Sequence, residues 1–490
     1  MNNNVQAIIL AAGKSTRFNT EKTKLAETIC GQAMILFPIK LLHKLNIPTT
    51  VVVGYQETTI KKIITDQHTD PLNFVVQQEP KGTGHALACT QSLWEKDHIL
   101  VMNGDVPFIT PETITTLYNQ HIQYNAVLSF VISSTNILEK SYGRVIKTNT
   151  QIKIVEAKDF TEEITPPYDI NAGIYLINKN FLNQYIATLN DNNANKEFYI
   201  TDLVTIANQN NFTITTLKAP FDTIRGINTF QELLEAEQIK RYGLINYWMN
   251  HGVRFLFSHN VHLDHNVTIG QGSFIGNSVH IKGNTIIGKN CIIQDFSYLE
   301  NVIIEDNVTI YSHCVIKNSY IQSEAKIGPF AYLRANVNIG QNSEIGNFVE
   351  VKNSIIDQHT KAKHLSYIGD STIGSHVNIG AGTITCNYDG VHKHKTLIKD
   401  HAFIGSNNTL VAPITIGEHA FTAAGSTLTT DVPENALAIA RATQTNKYDY
   451  ATKLRPHENT QETKSTKKNT DEFSFVGARI IYPNTPEDEQ

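Results

Sequence analysis

The chain has 490 residues, more than one ordinary hydrophobic core holds, which predicts two or more domains. Its 41 Lys and Arg against 46 Asp and Glu give a net charge of -5, which argues against nucleic acid or an anionic membrane as a partner. Five scattered cysteines without a C-x-x-C spacing argue against a disulfide framework or a zinc site and favour a reducing cytoplasm. Without a signal-peptide pattern or a long apolar stretch, neither export nor membrane insertion is expected.

The first 227 residues alternate short β-rich apolar runs with helix-like segments. The runs cover residues 5–10, 50–53, 74–76, 99–102 and 126–132. This alternation predicts a mostly parallel, doubly wound (Rossmann-like) α/β domain over residues 1–227. Asn228 and Thr229, as caps before a series of strong helix formers, predict a helical linker over residues 228–250.

Beyond residue 260 aliphatic side chains recur at intervals of six, and Ile-Gly pairs mark many of the turns. The aliphatic positions run through Ile269, Ile275, Ile281, Ile287 and Ile293, return in later series, and end at Ile398, Ile404, Leu410 and Ile416. Such a repeat predicts a parallel β-helix of hexapeptide repeats over residues 251–450, with aliphatic residues inside and glycine relieving the corners. Residues 451–490 are polar and charged, which predicts a flexible tail with one docking strand in the apolar run 473–482.

Polar and flexible residues follow several of the predicted strands. The first strand leads into the small-residue turn L-A-A-G-K-S-T-R (10–17), through which backbone N–H groups can approach a phosphate or a base. Gln77, Gly82-Thr83-Gly84 and Asn103-Gly104-Asp105 follow other apolar runs. Open α/β sheets bind ligands at such strand ends, so a nucleotide site is predicted there, and Asp105 suits Mg²⁺. By spacing alone, a tight strand-to-helix turn and an Asp cap stay open as alternatives.

Cations and a histidine interrupt the hexapeptide repeat between residues 331 and 395. The interruptions are Arg334, Lys352, the run 361–367 and the run 385–393. Cations beside a histidine suit a phosphorylated amine, because the cations bind the phosphate and a neutral imidazole removes the proton from the attacking nitrogen. His364 is the candidate base. Most other histidines are interpreted as solvated surface residues, among them His262, His265, His392 and His394.

The motifs taken together resemble a known family. L-A-A-G-K-x-T-R, Lys24, Q-x-x-x-x-G-T-G-H, G-D-V-P, Y-G-R, I-V-E-x-K-D, F-Y-I-T-D and G-I-N occur in the order found in sugar-nucleotide pyrophosphorylases. Joined to the hexapeptide domain, residues 5–445 resemble the bifunctional N-acetylglucosamine-1-phosphate uridylyltransferase/glucosamine-1-phosphate acetyltransferase family. The resemblance implies a left-handed β-helix, a homotrimer, and synthesis of a cell-envelope precursor.

Two reactions follow from that resemblance. Acetyl-CoA acetylates glucosamine-1-phosphate to N-acetylglucosamine-1-phosphate, whose phosphate attacks the α-phosphorus of UTP with Mg²⁺ to give UDP-N-acetylglucosamine and pyrophosphate. The residues implied for the uridylyl site are Leu10, Ala11, Ala12, Gly13, Gln77, Gly82 and Thr83 for uridine, Gly143, Glu156 and Asn171 for the sugar, Asn103 and Gly104 for either, Asp105 and Asn228 for Mg²⁺, and Arg17 and Lys24 for charge on the phosphates. The chain departs from the family at Ser15 (usually glycine), Thr23 (proline), Asn103 (aromatic) and Ala172 (threonine).

For acetyl transfer the resemblance makes His364, in K-x-x-H-L-x-Y-x-G-D, the general base. The other implied residues are Arg334, Lys352 and Lys393 for the sugar phosphate, Tyr367 and Asn378 for the sugar, Asn387 and Tyr388 at the acyl centre, and Ala381, Ser406, Ala424 and Arg441 in an acetyl-CoA groove between subunits. Cys386 is not expected to act as a nucleophile, because direct transfer to the amine needs no acyl-enzyme. Two alternatives remain, a single-function nucleotidyltransferase with a non-catalytic β-helix and a scaffold with a degenerate pocket.

Overall fold

The computed structural model describes residues 4–18, 20–136, 142–148, 151–160 and 166–454. The described residues up to Ala440 form one compact unit, and those from Arg441 to Leu454 belong to a second. The first unit consists of a mixed sheet with flanking helices, a long helix and a continuous series of parallel strands. Over the described ranges, no helix combines the length and the apolar character that crossing a membrane would require.

The N-terminal part is built on a mixed sheet. In chain order its strands are β1 (Val5–Ala11), β2 (Thr28–Ile29), β3 (Gln32–Ala33), β4 (Thr49–Val53), β5 (Asn73–Val76), β6 (His98–Asn103), β7 (Leu128–Thr135), β8 (Arg144–Lys147), β9 (Ile152–Val155), β10 (Tyr168–Asn178) and β11 (Ile214–Lys218). The sheet order is β11-β7-β10-β6-β1-β4-β5, β8 joins β10 to β9, and β2 and β3 form a separate hairpin. Along this order only β10 runs antiparallel to its neighbours. The predicted α/β domain is confirmed.

Helices cover both faces of this sheet. They are α1 (Leu36–Lys44), α2 (Glu57–Gln67), α3 (Thr83–Ala88), α4 (Pro111–Gln123), α5 (Lys179–Tyr185), α6 (Asp202–Gln209) and α7 (Phe221–Ile224), with short 3-10 turns at Thr16–Phe18, Lys24–Ala26, Gln91–Leu93 and Ile186–Thr188. Because successive strand residues point to opposite faces, Ile9 packs in one core with Leu36, while Ile8 packs in the other with Leu203. Burial of each such side chain contributes about 1.5–3 kcal/mol.

The helix α8 (Phe230–Asn250) is capped by Thr229. The Thr229 hydroxyl accepts a hydrogen bond from the Glu232 N–H at 3.1 Å, and the Glu232 carboxylate accepts one from the Asn228 N–H at 2.6 Å. The first bond pairs an N–H group that the first turn of a helix leaves unpaired, and the second ties the residue before the cap to that turn. The predicted helix is confirmed with Thr229 as its cap, whereas the Asn228 side chain accepts a hydrogen bond from Lys24.

The remainder of the first unit is a parallel β-helix. Its strands are β12 (Arg254–Phe255), β13 (His262–Leu263), β14 (Thr268–Ile269), β15 (Phe274–Ile275), β16 (His280–Lys282), β17 (Ile286–Ile287), β18 (Ile292–Ile293), β19 (Tyr298–Ile304), β20 (Thr309–Ile310), β21 (Val315–Ile321), β22 (Lys326–Ile327), β23 (Tyr332–Arg334), β24 (Val337–Ile339), β25 (Glu344–Lys352), β26 (Ile355–Ile356), β27 (Lys361–Gly369), β28 (Ser371–Ile373), β29 (Asn378–Ile379), β30 (Ile384–Cys386), β31 (Thr396–Ile398), β32 (Phe403–Ile404), β33 (Thr409–Val411), β34 (Ile414–Ile416), β35 (Phe421–Thr422), β36 (Thr427–Leu428) and β37 (Leu437–Ala438), with a 3-10 turn at Ser258–Asn260. Strands pair in parallel one coil apart, as Ile269 does with Ile287. The aliphatic series from Ile269 to Ile416 forms one buried core, which confirms the predicted architecture.

Glycine and non-glycine residues meet different requirements in these coils. A Cβ on Gly340 would lie 2.4 Å from the Gln358 nitrogen, and one on Gly405 would lie 2.5 Å from the Thr422 oxygen. These glycines therefore allow adjacent coils to approach closely. Left-handed backbone is adopted instead by residues such as Asn342, with φ of 58°. The repeat pattern predicts that glycine relieves backbone strain at the corners. At these two positions glycine is required for a different reason, the close approach of the neighbouring coil.

In the second unit, the described residues include a short helix, α9 (Tyr450–Leu454). Composition predicted a flexible tail from residue 451. Its described residues, 451–454, belong to α9, and the flexible tail stays a prediction. Arg441 is exposed and belongs to this unit. The docking strand predicted at 473–482 lies outside the described residues.

Candidate active sites

A cavity of about 520 Å³ opens where β1 and β6 end. It is lined by Leu10, Ala11, Ala12, Gly13, Lys14, Ser15, Thr16, Arg17, Lys24, Gln77, Gly82, Thr83, Asn103 and Asp105, among others. Gly104 closes the turn after β6, because its N–H donates to the Leu10 carbonyl at 3.0 Å. The structure therefore brings together, at one edge of the sheet, the residues predicted for uridine and for the phosphates.

Hydrogen bonds shape the end of this cavity that Gln77 and Gly82 line. Gln77 is buried, and its amide donates to the Gly82 carbonyl at 3.1 Å. Gly82 has φ of 101°, and a Cβ there would lie 2.6 Å from the Phe198 oxygen, so the position requires glycine. The Thr83 hydroxyl accepts a hydrogen bond from the Ile200 N–H at 3.1 Å. The segment 82–84 is therefore held against 198–200 before any ligand binds.

Lys24 lies between the two predicted magnesium ligands. Its ammonium donates to Asp105 Oδ2 at 2.5 Å and to Asn228 Oδ1 at 2.8 Å. The side chains of Lys24 and Asp105 are only 15% and 16% exposed, so this ion pair is shielded from water. Asp105 and Asn228 thus point oxygen atoms at one cation, which is the donor chemistry that Mg²⁺ prefers.

A second cavity of about 250 Å³ adjoins the first and shares Arg17, Thr83, Asn103 and Asp105 with it. The predicted sugar residues Gly143, Glu156 and Asn171 line it, with Asn228. Burial raises the pKa of the Glu156 carboxyl, although the Thr201 hydroxyl donates to it at 2.9 Å. Asn171 donates to the Tyr175 hydroxyl at 2.5 Å. Sequence reasoning missed Tyr175, which lies outside the motifs, and gave no role to Thr201, although it belongs to F-Y-I-T-D (198–202). Both residues orient these side chains.

The departures from the family have identifiable surroundings. Ser15 adopts φ of 55°, the left-handed region that favours glycine, and its hydroxyl accepts a hydrogen bond from the Lys24 N–H at 3.1 Å. The Thr23 hydroxyl caps the turn that carries Lys24. The Asn103 side chain abuts Gly173, where a Cβ would lie 2.4 Å from it. Their effects on nucleotide and sugar affinity remain predictions, as does that of the buried Ala172.

Cations predicted for the acyl-transfer site lie on successive coils. The strand register places Arg334 beside Lys352, and Arg334 binds Glu350 at 2.7 Å. Lys352 approaches Asp370 at 4.0 Å. Lys393 adjoins Lys352, whose hydrogen bond and charge lower the pKa of the Lys393 ammonium. Two ammonium groups share one nearby carboxylate, which leaves positive charge for an anionic ligand such as a phosphate.

Asp370 links this cation cluster to the chain after β30. Its carboxylate accepts hydrogen bonds from the amides of Asn353 and Asn387, each at 2.5 Å. Burial acts to raise the pKa of Asp370, but these amides and the charges of Lys352 and Lys393 outweigh it, so the pKa is lowered. Sequence reasoning did not select Asp370, although it ends the motif that contains His364.

The candidate base lies on β27 and is exposed. His364 Nδ1 is 3.0 Å from the Asn347 amide oxygen, and Asn347 is its register partner on β25. An amide oxygen only accepts, so in the neutral imidazole this contact favours the tautomer with the proton on Nδ1 and the lone pair on Nε2, as general-base chemistry requires. Tyr367 follows on the same strand, beyond Leu365, which has φ of 35°. Asn378 begins β29, one coil further along, and pairs with Lys361 of β27.

An exposed loop after Asn387 carries Lys393. Within it, Asp389 accepts hydrogen bonds from the Val391 and His392 N–H groups at 2.8 and 2.6 Å. His394 Nε2 is 2.7 Å from the same carboxylate. Tyr388 is 60% exposed. The loop is therefore folded around Asp389, and its aromatic side chain is available to a ligand or to another subunit.

The residues predicted for acetyl-CoA fall into two places. Ala381, Ser406 and Ala424 occupy turns stacked on successive coils, where the Asn407 N–H donates to the Ala381 carbonyl and the Gly425 N–H donates to the Ser406 carbonyl. These turns form one edge of the first unit. Arg441 belongs to the second unit, so its predicted role is carried by the resemblance alone.

Two histidines interpreted as solvated surface residues, His262 and His265, are partly buried. His262 is partly buried and stacks on His280 at 4.9 Å. His265 is also partly buried and contacts Lys40 and the Cys30 carbonyl, so for these two residues the interpretation is wrong. His394 binds Asp389 within the exposed loop, which is compatible with a surface residue.

A further histidine, His121, was missed. It is fully buried and hydrogen-bonds His98 and Ser129. Burial first, and His98 second, lower its pKa to about 4. No local pattern marks these contacts, because they arise between distant segments.

Comparisons with known proteins find relatives of both the N-terminal α/β part and the C-terminal β-helix of this chain. The MobA-like NTP transferase domain model matches residues 7–138, the bacterial transferase hexapeptide (six repeats) model matches 266–301 and 284–318, and the GMPPB C-terminal domain model matches 315–414. The chain is 42% identical to bifunctional protein GlmU of Thermodesulfovibrio yellowstonii over 92% of this chain and 100% of that protein. For bifunctional protein GlmU of Thermosipho melanesiensis the identity is 40%, with coverages of 91% and 97%. For that of Geotalea daltonii it is 40%, with coverages of 90% and 98%.

This similarity spans both domains and nearly the whole length of each relative, at identities well above those at which only the fold can be inferred. It therefore excludes a relationship confined to the nucleotidyltransferase half. The prediction from the motif order is confirmed, and the chain belongs to the family of bifunctional GlmU proteins, the uridylyltransferase/acetyltransferases.

Proposed function

We propose that the N-terminal site transfers a uridylyl group from UTP to N-acetylglucosamine-1-phosphate. A cavity with a flexible turn, two cations and an adjoining sugar-sized cavity supports this assignment. The sugar phosphate attacks the α-phosphorus of UTP, a P–O bond forms, and pyrophosphate leaves. Arg17 and Lys24 stabilise the charge on the phosphates, while Gln77 and Gly82 hold the base. Such chemistry requires positioning and positive charge more than a protein base.

Mg²⁺ fits Asp105 and Asn228, because both already direct oxygens at a cation, the Lys24 ammonium. When bound, the ion supplies charge neutralisation at the triphosphate and orients it for in-line displacement. Asp105 contributes the anionic ligand and Asn228 the neutral one. Residues with this chemistry support Mg²⁺ over softer metals, which favour thiolate or imidazole ligands.

The C-terminal site acetylates glucosamine-1-phosphate, and the arrangement of His364 and the cation cluster carries this proposal. Arg334, Lys352 and Lys393 bind the phosphate, which directs the amine toward Nε2 of His364. The imidazole accepts the proton as the nitrogen attacks the thioester carbon of acetyl-CoA, and the coenzyme A thiolate leaves. Asn387 and Tyr388 contact the acyl group. Tyr367 and Asn378 contact the sugar, and Ala381, Ser406, Ala424 and Arg441 contact the coenzyme.

We also propose a homotrimer, in which acetyl-CoA binds between neighbouring subunits. An aromatic column on one corner of the β-helix supports it: Phe330 stacks on Phe348 at 5.3 Å, and the two are 48% and 57% exposed. Large exposed apolar columns are typical of surfaces that another subunit covers. Sedimentation equilibrium of the full chain should give three times the 54.8 kDa chain mass, and a monomer would refute the assignment.

We also propose limits for the domains and a cellular location. We place the uridylyltransferase at 1–227, the linker at 228–250, the acetyltransferase at 251–450 and a tail at 451–490. Five unpaired cysteines, three of them buried, support a cytoplasmic location, because unpaired thiols persist in reducing compartments.

Both activities can be tested together. The full chain is incubated with glucosamine-1-phosphate, acetyl-CoA, UTP and Mg²⁺, and products are identified by mass spectrometry. UDP-N-acetylglucosamine, coenzyme A and pyrophosphate are expected. Accumulation of N-acetylglucosamine-1-phosphate alone would refute the uridylyl assignment. Uridylylation only of added N-acetylglucosamine-1-phosphate would refute the acetyl assignment.

A further inference from the structure

The uridylyl site holds its own cation. Lys24 is the only side chain for which the described residues show bonds to both predicted magnesium ligands, Asp105 at 2.5 Å and Asn228 at 2.8 Å. With about one sixth of each charged side chain exposed, the ammonium neutralises Asp105 in a shielded position. A divalent ion entering this position must displace the ammonium or be repelled by it.

We propose that Lys24 is an exchangeable placeholder for the divalent ion, so that the metal binds firmly only when a triphosphate draws the ammonium away. This inference rests on the proposed function, because it uses the same two metal ligands. It adds an order of events: triphosphate and metal enter together, and the apo site excludes free metal.

The anchoring of Lys24 allows such an exchange. Its backbone N–H is held by the Ser15 hydroxyl at 3.1 Å, and the neighbouring Thr23 N–H is held by Gln56 at 3.0 Å. The backbone is thus tied to the turn that lines the cavity, while the four-carbon side chain can rotate. Swinging from Asp105 toward the turn 10–17 carries the ammonium to where phosphates bind, since both line one cavity.

Charge favours this coupling. In the apo site one ammonium balances one carboxylate. Without a phosphate, replacing the ammonium by a divalent ion would leave two cations close together in a shielded site. With a triphosphate present, the displaced ammonium and the ion both face negative oxygens. The exchange is therefore opposed in the empty site and favoured in the loaded one.

The test measures Mn²⁺ binding to the full chain. The electron paramagnetic resonance signal of free Mn²⁺ reports how much of the ion remains unbound. Without nucleotide, Lys24→Met should bind one Mn²⁺ at least about tenfold more tightly than the native chain, because removing the ammonium leaves Asp105 unpaired. Lys24→Gln, which keeps a donor but loses the charge, should do the same. Lys22→Met is the matched control, since Lys22 is exposed nearby, and it should match the native chain.

With α,β-methylene-UTP, which does not react, the native chain should bind Mn²⁺ nearly as tightly as Lys24→Met does. The proposal is overturned if folded Lys24→Met and Lys24→Gln bind Mn²⁺ no more tightly than the native chain without nucleotide. Asp105→Asn separates this result from failure of the proposed function. If Asp105→Asn binds Mn²⁺ in the presence of the analogue as tightly as the native chain does, the metal ligands are misassigned. The proposed exchange with Lys24 is then refuted as well.

Discussion

Replacing Asn347 by Asp should shift the pH dependence of acetyl transfer without removing the base. The Asn347 oxygen lies 3.0 Å from His364 Nδ1. A carboxylate there would favour the charged imidazolium, by about 1.4 kcal/mol if the medium screens as bulk water does. Since about 1.4 kcal/mol is a factor of ten in proton affinity, the acid limb of kcat/KM should move up by about one pH unit.

The assay follows coenzyme A release from acetyl-CoA with glucosamine-1-phosphate from about pH 5.5 to 9, which takes in most of the range in which histidine titrates and extends above it. Activity of Asn347→Asp should fall near neutrality and recover at alkaline pH. Asn347→Ala should lose activity at every pH, because the tautomer is no longer held. Asn307→Asp places the same charge at an exposed corner and should leave the profile unchanged. An unshifted acid limb in Asn347→Asp would refute the role of this contact.

Three further outcomes are expected. His364→Ala should abolish acetyl transfer and spare uridylyl transfer, because the sites lie on different domains; equal loss of both in a folded variant would contradict this. Gly82→Ala should lower uridylyl transfer at least about tenfold, since φ of 101° and the Phe198 oxygen at 2.6 Å oppose a Cβ; unchanged uridylyl kinetics would show that the segment yields. His121 has a folded pKa of about 4 against 6.5, so its contribution to stability is complete above pH 6.5 and falls toward pH 4 by about 3 kcal/mol. In urea titrations across that range His121→Leu should show a shallower loss than the native chain, and an equal slope would count against the argument.

The sequence predicted the β-helix well because its signal is periodic. A residue at every sixth position faces the same interior in every coil, so one local rule holds along the whole domain. The same rule could not predict Asn347 beside His364. That contact depends on the interval between coils, which is 17 residues at this point and 18 at Ile269 and Ile287. A one-residue difference of this kind decides which side chains meet.

The nucleotide site shows the complementary limit. Residue spacing predicted polar strand ends at one edge of the sheet, and in the structure these residues line one cavity there, whose use as a nucleotide site stays a prediction. It could not predict that Lys24 bonds to Asp105 and Asn228, which are 81 and 204 residues away in the chain. Only the family resemblance joined these residues in advance. The burial of His121 was missed for the same reason, because it depends on packing between α4 and strands distant in sequence.

The loop after Asn387 is an insertion in the repeat, and the coils on either side of it can pair without it. Tyr367 pairs with Ile384, an interval of 17 residues, whereas Ser371 pairs with Thr396, an interval of 25, so eight residues are inserted between stacked positions. Deleting residues 388–395 should therefore leave the β-helix folded and uridylyl transfer intact. It removes Lys393 and Tyr388, so acetyl transfer should fall by at least about 100-fold. Thermal unfolding and both kinetic assays check this, with Lys393→Ala as the control for charge alone. Retained acetyl transfer in the deletion variant would show that the active site is built from the regular coils and that the insertion serves another purpose.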